Sequence, residues 1–105
     1  MGSNLAAIKL TDTRFFVASG SFRTCTSGGN NIIRYFTLDV NLTDKTYTIN
    51  TEYHNNRYYY ITLSGLFKIS DNKVIAFMAD GNGGQRFYHT AMTFTIAANG
   101  TITLN

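Results

Sequence analysis

An internal repeat constrains this chain more than any other feature of its sequence. Residues 9–18, KLTDTRFFVA, align with residues 68–77, KISDNKVIAF, with the same Lys and Asp and an apolar run at the end of each segment. Such a period indicates one supersecondary unit that is used more than once. Two further pairs of segments match: residues 36–38 (FTL) with 94–96 (FTI), and residues 46–50 (TYTIN) with 101–105 (TITLN). The 105 residues therefore hold two copies of one unit.

Each copy has the composition of a small antiparallel sheet. Phe, Tyr, Thr, Ile and Val fit pleated strands, whereas Asn, Asp and Gly suit turns, and the chain has eight Phe, seven Tyr, nine Gly and no Pro. The predicted fold is all-β, with two four-stranded antiparallel sheets. The predicted strands are residues 5–10, 14–20, 32–40 and 46–51 in the first copy, and residues 59–69, 73–79, 87–97 and 101–105 in the second.

The second strand of each copy indicates how the sheets are packed. Its central residues, 15–18 (FFVA) or 74–77 (VIAF), are apolar at every position, which is typical of a strand buried on both faces. Sheets with such inner strands need a neighbour above and below, as the blades of a β-propeller have. The alternative is a single eight-stranded sandwich or barrel, because domains of about 100 residues commonly take that form.

The order of motifs in each copy resembles propeller blade repeats found in bacterial and phage surface proteins. These motifs are Lys-Leu-Thr-Asp-Thr-Arg before an apolar run, a Gly/Asn loop, Phe-Thr-Leu, and Thr-x-Thr-Ile/Leu. The resemblance implies two blades, residues 1–52 and 53–105, that form part of one propeller domain, and leaves an extracellular or a virion-surface location open. The chain has no Trp and no Asp-box motif, so the activities of propellers that carry those motifs are not implied.

Two blades cannot close a propeller, because known propellers contain about four to eight. We therefore expect Phe15, Phe16, Val74 and Ile75 to be partly exposed, and an exposed apolar face of that size is an association site. The chain is either part of a longer propeller or a homo-oligomer that forms a closed ring, for which a trimer of six blades is favoured over two or four chains. Residues 51–60, which join the copies, are the predicted place for a strand exchanged between chains.

Residues suited to catalysis or metal binding do not form a recognisable arrangement. No pair among the six Asp and Glu residues resembles the opposed carboxylates of a glycosidase. Cys25 has no neighbouring His to activate it, and His54 and His89 lack the spacing of metal ligands. The loop at residues 80–85, DGNGGQ, fits a turn better than a calcium site, which needs more acidic ligands. We predict no enzyme, no metal and no cofactor.

The charge pattern does not favour nucleic acid or a membrane as a partner. The net charge is +3, from nine Lys and Arg against six Asp and Glu, and the basic residues are scattered rather than clustered. No stretch of about 18 apolar residues is present, and the first residues lack the charged and apolar regions of a signal peptide.

Binding of glycans is the favoured function, because rings and hydrogen-bonding side chains are concentrated in two segments. Residues 53–60, YHNNRYYY, and residues 85–89, QRFYH, combine flat rings with amides or guanidinium groups, which suit the apolar faces and hydroxyls of sugars. The alternative is that these rings line an interface between blades, in a purely structural propeller fragment or an engineered or phage building block without a ligand. The predicted glycan-binding residues are Asn55, Arg57, Tyr58, Arg86, Tyr88 and His89.

Overall fold

A computed structural model describes the backbone of residues 3–21, 31–57, 61–81 and 87–105, and side chains within residues 5–19, 34–53, 65–78 and 91–105. Over the described backbone the chain forms nine strands and no helix, which confirms the all-β prediction. This part of the chain accordingly contains no apolar helix of membrane-spanning length.

The first sheet contains five strands but is only four strands wide, because two short strands share one edge. They are β1 (Ser3–Lys9), β2 (Arg14–Ser21), β3 (Asn31–Asn41), β4 (Thr46–Ile49) and β5 (Tyr53–Arg57). All pairs are antiparallel, in the order β1-β2-β3-β4, and β5 also pairs with β3. Because β4 pairs with residues 38–41 and β5 with residues 31–35 of β3, β4 and β5 are successive parts of one edge of the sheet.

The second sheet is an antiparallel meander in which each strand pairs with the next. It consists of β6 (Ile61–Ser70), β7 (Lys73–Gly81), β8 (Phe87–Ile96) and β9 (Ile102–Leu104). The pairing of β6 with β7 is irregular between Leu63 and Gly65 and again between Lys68 and Ser70. The prediction of two antiparallel sheets, each four strands wide, is confirmed.

The strand β5 differs from the prediction, in which residues 51–60 join the two copies. Tyr53–Arg57 pairs with β3 and extends the first sheet beyond residue 52. The side chain of Tyr53 also packs in the interior, with its ring centroid 6.1 Å from that of Tyr35. This strand could not be predicted from its polar sequence HNNR. Residues with high β propensity are those that pack well on a half-buried sheet surface, and an edge strand makes fewer such packing contacts. Strand exchange in this segment stays a prediction.

The two sheets pack face to face around one core. Phe94 in β8 lies at its centre, with its ring centroid 5.5 Å from that of Phe16, 4.7 Å from that of Tyr35 and 5.6 Å from that of Tyr53. One buried face from each sheet thus forms a shared interior. The buried cluster comprises Leu10, Phe16, Ala18 and Tyr35 from the first half of the chain, and Leu66, Val74, Ala76, Met78, Met92, Phe94, Ile96 and Ile102 from the second.

The sequence predicts that four residues of the apolar second strands are partly exposed, and the structure agrees for two of them. Phe15 and Ile75 are partly exposed, as predicted. Phe16 and Val74 are fully buried, so that part of the prediction is wrong. The reason is that successive residues of a strand point to opposite faces, and each sheet covers one face of the other. Continuous apolar character does not reveal which residues point inward.

Corresponding turns in the two halves make corresponding contacts. Lys9 pairs with Asp12 at 3.4 Å after β1, and Lys68 pairs with Asp71 at 2.8 Å after β6. These four side chains are substantially exposed, so each pair adds little stability. They show that the repeat seen in the sequence is also a repeat of local structure.

The strand pairing corrects the sequence alignment of β3 with β8. Leu38 lies opposite Ile49, and Phe94 lies opposite Leu104. Since Ile49 and Leu104 correspond in the repeat, Leu38 rather than Phe36 is the counterpart of Phe94. A shift of two residues keeps every side chain on its original face, so the apolar pattern fits both alignments equally well.

The turn between β8 and β9 depends on Gly100. Its φ is +90°, a conformation that favours glycine. A Cβ atom at this position would overlap the side-chain amide of Asn50 and lie 3.0 Å from the Thr37 hydroxyl. Gly100 therefore permits close contact between the two sheets at this end of the molecule.

We expect Gly100→Ala to lower the free energy of unfolding by about 2 kcal/mol, because it adds backbone strain and a clash. Urea denaturation at a fixed protein concentration would measure the change. Gly65→Ala is the matched control, since its Cβ would make an ordinary 3.5 Å contact with the Phe67 ring. An equal loss in both variants would show that the positive φ and the Asn50 contact are unimportant.

Candidate functional site

The predicted glycan-binding residues are only partly within the described structure. Tyr58 and Arg86 lie outside the described residues. Asn55 and Arg57 lie in β5, where they pair with Ile33 and Asn31 of β3. For these two residues, as for Tyr88 and His89, backbone positions are described and side chains are not.

Tyr88 and His89 lie near the start of β8. Tyr88 pairs with Asp80, and Asp80 also pairs with Ile61, the first residue of β6. Three residues separate Ile61 from Arg57, the last residue of β5, and such a connection spans at most about 14 Å. The backbone therefore brings the described parts of the two predicted binding segments, residues 53–57 and 87–89, to the same end of the two sheets.

Other residues considered for chemistry are placed less fully. Cys25 and residues 82–86 lie outside the described residues, and His54 is described only by its backbone position in β5. Among the residues that were described, no group of three or more His, Cys, Asp or Glu side chains is arranged to hold a metal ion.

A polar network joins the sheets at the opposite end. Arg14, at the start of β2, donates from Nε to Oδ1 of Asp39 at 2.6 Å and from Nη2 to Oδ2 at 3.0 Å. The same guanidinium donates to the carbonyl oxygens of Ala97 at 3.2 Å and Ala98 at 3.0 Å in the second sheet. Arg14 thus connects a carboxylate of one sheet to a turn of the other, with the bidentate geometry that makes such pairs strong.

Two further side chains complete this network. Asn50 donates from Nδ2 to the Thr37 hydroxyl oxygen at 2.8 Å and to Asp39 Oδ2 at 3.0 Å. The buried Thr37 hydroxyl donates to the carbonyl oxygen of Gly100. With both of its oxygens accepting hydrogen bonds from Arg14 or Asn50, Asp39 is suited to fixing the sheets relative to each other, which is a structural role.

The pKa of Asp39 lies below its ordinary value, mainly because Arg14 hydrogen-bonds to the ionised carboxylate. Partial burial opposes this shift, and the hydrogen bond from Asn50 adds to it. A carboxyl group with a lowered pKa in the folded state stabilises the fold fully above its ordinary pKa of about 4. That contribution is lost as the pH falls through the lower value of the folded state.

We expect Asp39→Asn to reduce the loss of stability between about pH 5 and pH 2, since the ion pair with Arg14 is then absent at every pH. Urea midpoints across this range would show a shallower acid dependence than in the unmodified protein. Asp12→Asn is the control, because the Asp12 side chain is 96% exposed. The interpretation fails if both variants retain the full acid dependence.

The outward face of the first sheet is largely apolar, although strand pairing also places Lys9, Ser19 and Arg34 on it. Val17 lies between Ala7 and Phe36 on neighbouring strands of this face and is 9% exposed. Tyr47 and Ile49 at its edge are 68% and 53% exposed. A contiguous apolar face of this kind indicates an interaction site. We call the following residues the first outer face: Ala7, Phe15, Val17, Phe36, Leu38, Val40, Tyr47 and Ile49.

The outward face of the second sheet carries exposed aromatic rings. Phe67 is 58% and Phe77 38% exposed, and their ring centroids lie 5.5 Å apart in an edge-to-face arrangement. Ile69, two residues after Phe67 in β6, is 55% exposed. Large apolar side chains in contact with one another and with water are unusual for a surface without a partner. The second outer face comprises Phe67, Lys73, Ile75, Phe77, Ala91, Thr93 and Thr95, which strand pairing places together, and the exposed Ile69 near the end of β6.

Comparison with known protein families, with curated proteins and with solved structures finds no match to this chain. The two outer faces and the ends of the sheets are therefore the features from which a function is inferred. Phe67 and Ile69 are not among the functional residues predicted from the sequence. The run at residues 66–69, LFKI, could have indicated them. It has large apolar residues at both odd and even positions, and successive residues of a strand point to opposite faces, so that both faces of the sheet carry apolar side chains.

Proposed function

We propose that this chain is a non-catalytic assembly module whose two sheets act as propeller blades, and that several copies close head to tail into a ring. One observation carries the proposal: corresponding residues of the two sheets point in opposite directions. Phe16 is buried in the core, whereas its counterpart Ile75 is on the second outer face. Conversely, Val74 is buried in the core, whereas its counterpart Phe15 is on the first outer face.

This opposition distinguishes two ways of packing similar sheets. In a pair related by a two-fold axis, corresponding residues meet in the core, and the packing is complete with two sheets. In the other arrangement, one face of a sheet packs on the opposite face of the next sheet. Each added sheet then leaves its own first kind of face uncovered, so that a further sheet can be added. Such heterologous packing continues until it closes into a ring or extends into a filament.

The apolar outer faces support closure into a ring. The exposed apolar side chains of each face would be buried by packing against another sheet, and each chain has one first outer face and one second outer face. Propellers close with about four to eight blades, so two, three or four chains would complete one. We favour the trimer of six blades.

The mass of the protein in solution tests the proposal. Light scattering after size exclusion, together with native mass spectrometry, should give one species at an integral multiple of 11.7 kDa. Three times the chain mass is expected for the favoured ring. A stable monomer over a wide concentration range would overturn the proposal, as would a ladder of open filaments.

Glycan binding is a second candidate function, favoured by the shared location of the two predicted binding segments. Asn55 and Arg57 end the edge strand of the first sheet, and Tyr88 and His89 begin β8 at the same end of the second. Tyr58 and Arg86 are neighbours of these residues in sequence. Side chains of these types, amide, guanidinium and aromatic, offer directional hydrogen bonds and flat apolar contacts to a sugar.

A glycan array with the assembled protein would test this candidate. If a glycan is bound, Arg57→Ala and His89→Ala should each weaken binding about tenfold or more, because hydrogen bonds from charged or polar groups to a ligand are lost. The mass of the assembly should stay unchanged in both variants. Loss of assembly would instead assign these residues to an interface, and an array without any bound glycan would favour a purely structural module.

A further inference from the structure

We infer that the interface between copies repeats the interface inside the chain: the second outer face of one copy packs on the first outer face of the next, with Ile75 opposite Leu38. This inference rests on the proposed head-to-tail ring. It deepens that proposal by naming the partner surface and the alignment of residues across it.

The central contact follows from the correspondence between the halves. Inside the chain, the Phe16 and Phe94 rings join the two sheets at 5.5 Å. The counterpart of Phe16 is Ile75, and strand pairing makes Leu38 the counterpart of Phe94. Ile75 and Leu38 are both partly buried apolar residues on outer faces. A neighbouring copy placed like the partner sheet would bring them together.

The second outer face also resembles the buried face of the first sheet in pairing a small side chain with a large one. On the buried face of the first sheet, Ala18 lies opposite Tyr35. At the corresponding place on the second outer face, Phe77 lies opposite Ala91. The aromatic ring has moved to the other strand, but each pair still contains one alanine and one aromatic residue. Exchanges that keep the total volume are the ones that packed interfaces tolerate best.

A polar contact has a counterpart as well. Lys68 donates from Nζ to the carbonyl oxygen of Leu10 at 2.7 Å, which links the second half of the chain to the first. Lys9 is the counterpart of Lys68, and Ile69 is the counterpart of Leu10. In the inferred interface, Lys9 of one copy therefore donates to the carbonyl oxygen of Ile69 in the preceding copy. The Lys9 side chain is 59% exposed and is free to make this contact beside its pair with Asp12.

The bidentate ion pair is not repeated. Lys73 and Thr95 occupy the positions that correspond to Arg14 and Asp39, so a hydroxyl group stands where the first sheet has its ion-paired carboxylate. The interface between copies thus has apolar contacts and the lysine hydrogen bond, without the strongest polar link of the interior. We expect copies to separate under milder conditions than the two sheets of one chain.

Both outer faces carry large apolar side chains that are exposed to water in the single chain. They are Tyr47 and Ile49 on the first face, and Phe67 and Phe77 on the second. A second copy is the occupant that these faces fit, because it continues an interface already present within the chain.

Photo-cross-linking tests the alignment. Ile75 is replaced by p-benzoylphenylalanine, an aromatic residue like its counterpart Phe16, in a mixture of isotopically labelled and unlabelled chains. Links between a labelled and an unlabelled chain should map to residues 36–40 of the partner copy. The same probe at Leu42, an exposed turn residue outside both faces, should give no such link.

The outcomes separate this inference from the proposed ring. Links from Ile75 to residues 65–78 of another copy would indicate two-fold packing and overturn the inference, as would links elsewhere in an oligomer of the expected mass. A monomeric mass would overturn the ring itself. Independently, Lys9→Met should weaken association about tenfold through loss of a charged hydrogen bond, whereas Lys45→Met, in an exposed turn, should not. Equal association constants for both variants would contradict the inferred lysine contact.

Discussion

Phe94→Ala is expected to lower the free energy of unfolding by about 3–5 kcal/mol, the usual cost of removing a buried phenylalanine. Phe94 is fully buried, and its ring contacts the rings of Phe16, Tyr35 and Tyr53 across the two sheets. All three partners lie in the first sheet, so the cavity would open where the sheets meet. A domain of this size has a total stability of about 5–15 kcal/mol, so the variant should lose a large fraction of its stability.

Urea denaturation followed by circular dichroism would measure this loss, at one protein concentration for all variants. Leu42→Ala is the control, because Leu42 is also a large apolar residue but is 68% exposed in a turn. Surface substitutions of that kind change stability by about 0.5 kcal/mol or less. If Phe94→Ala were as mild as Leu42→Ala, the two sheets would not share the core described above.

Strands with a turn residue at each end could be predicted from the sequence. Asp12 and Asp71 mark tight turns between long apolar segments, and the strands around them lie within a few residues of the prediction. These elements depend on local information, namely side-chain periodicity and the preference of Asp and Asn for turns. The strand β5 depends instead on pairing with β3, about twenty residues earlier in the chain, and its polar sequence carries no local signal for that pairing.

The inward face of the central strands could not be predicted for a different reason. Phe15 and Phe16 are both large and apolar, and only the position of the second sheet makes Phe16 the buried one. A continuous apolar run has no alternation from which the buried face can be read. The opposition between the two sheets, on which the proposed function depends, is therefore visible only in the structure.

The polar link between the sheets is likewise a tertiary feature. Arg14 donates hydrogen bonds to the carbonyl oxygens of Ala97 and Ala98, which lie 83 and 84 residues later in the chain. Carbonyl groups are present at every residue, so no sequence motif identifies those acceptors. The predicted glycan site was assembled from local composition, and the backbone brings its segments to one end of the sheets without deciding what they bind.

Phe77→Asp is expected to abolish assembly while leaving the chain folded. Phe77 points away from the core, and its side chain is 38% exposed on the second outer face. An aspartate there stays hydrated in an isolated chain, so that the fold loses little beyond the contact with Phe67. In the ring the same carboxylate would be enclosed in a largely apolar interface between two sheets, and removing a charge from water without an ion pair costs several kcal/mol.

The measured mass should therefore fall to 11.7 kDa, with a circular dichroism spectrum like that of the unmodified protein. Leu42→Asp is the matched control, because it introduces the same charge at an exposed position outside both outer faces and should leave the mass unchanged. An oligomer that survives Phe77→Asp would place the interface elsewhere. Taken with Phe94→Ala, the comparison separates two similar surfaces. Removing a ring from the inner interface destabilises the fold, whereas charging the outer one leaves a folded chain that no longer associates.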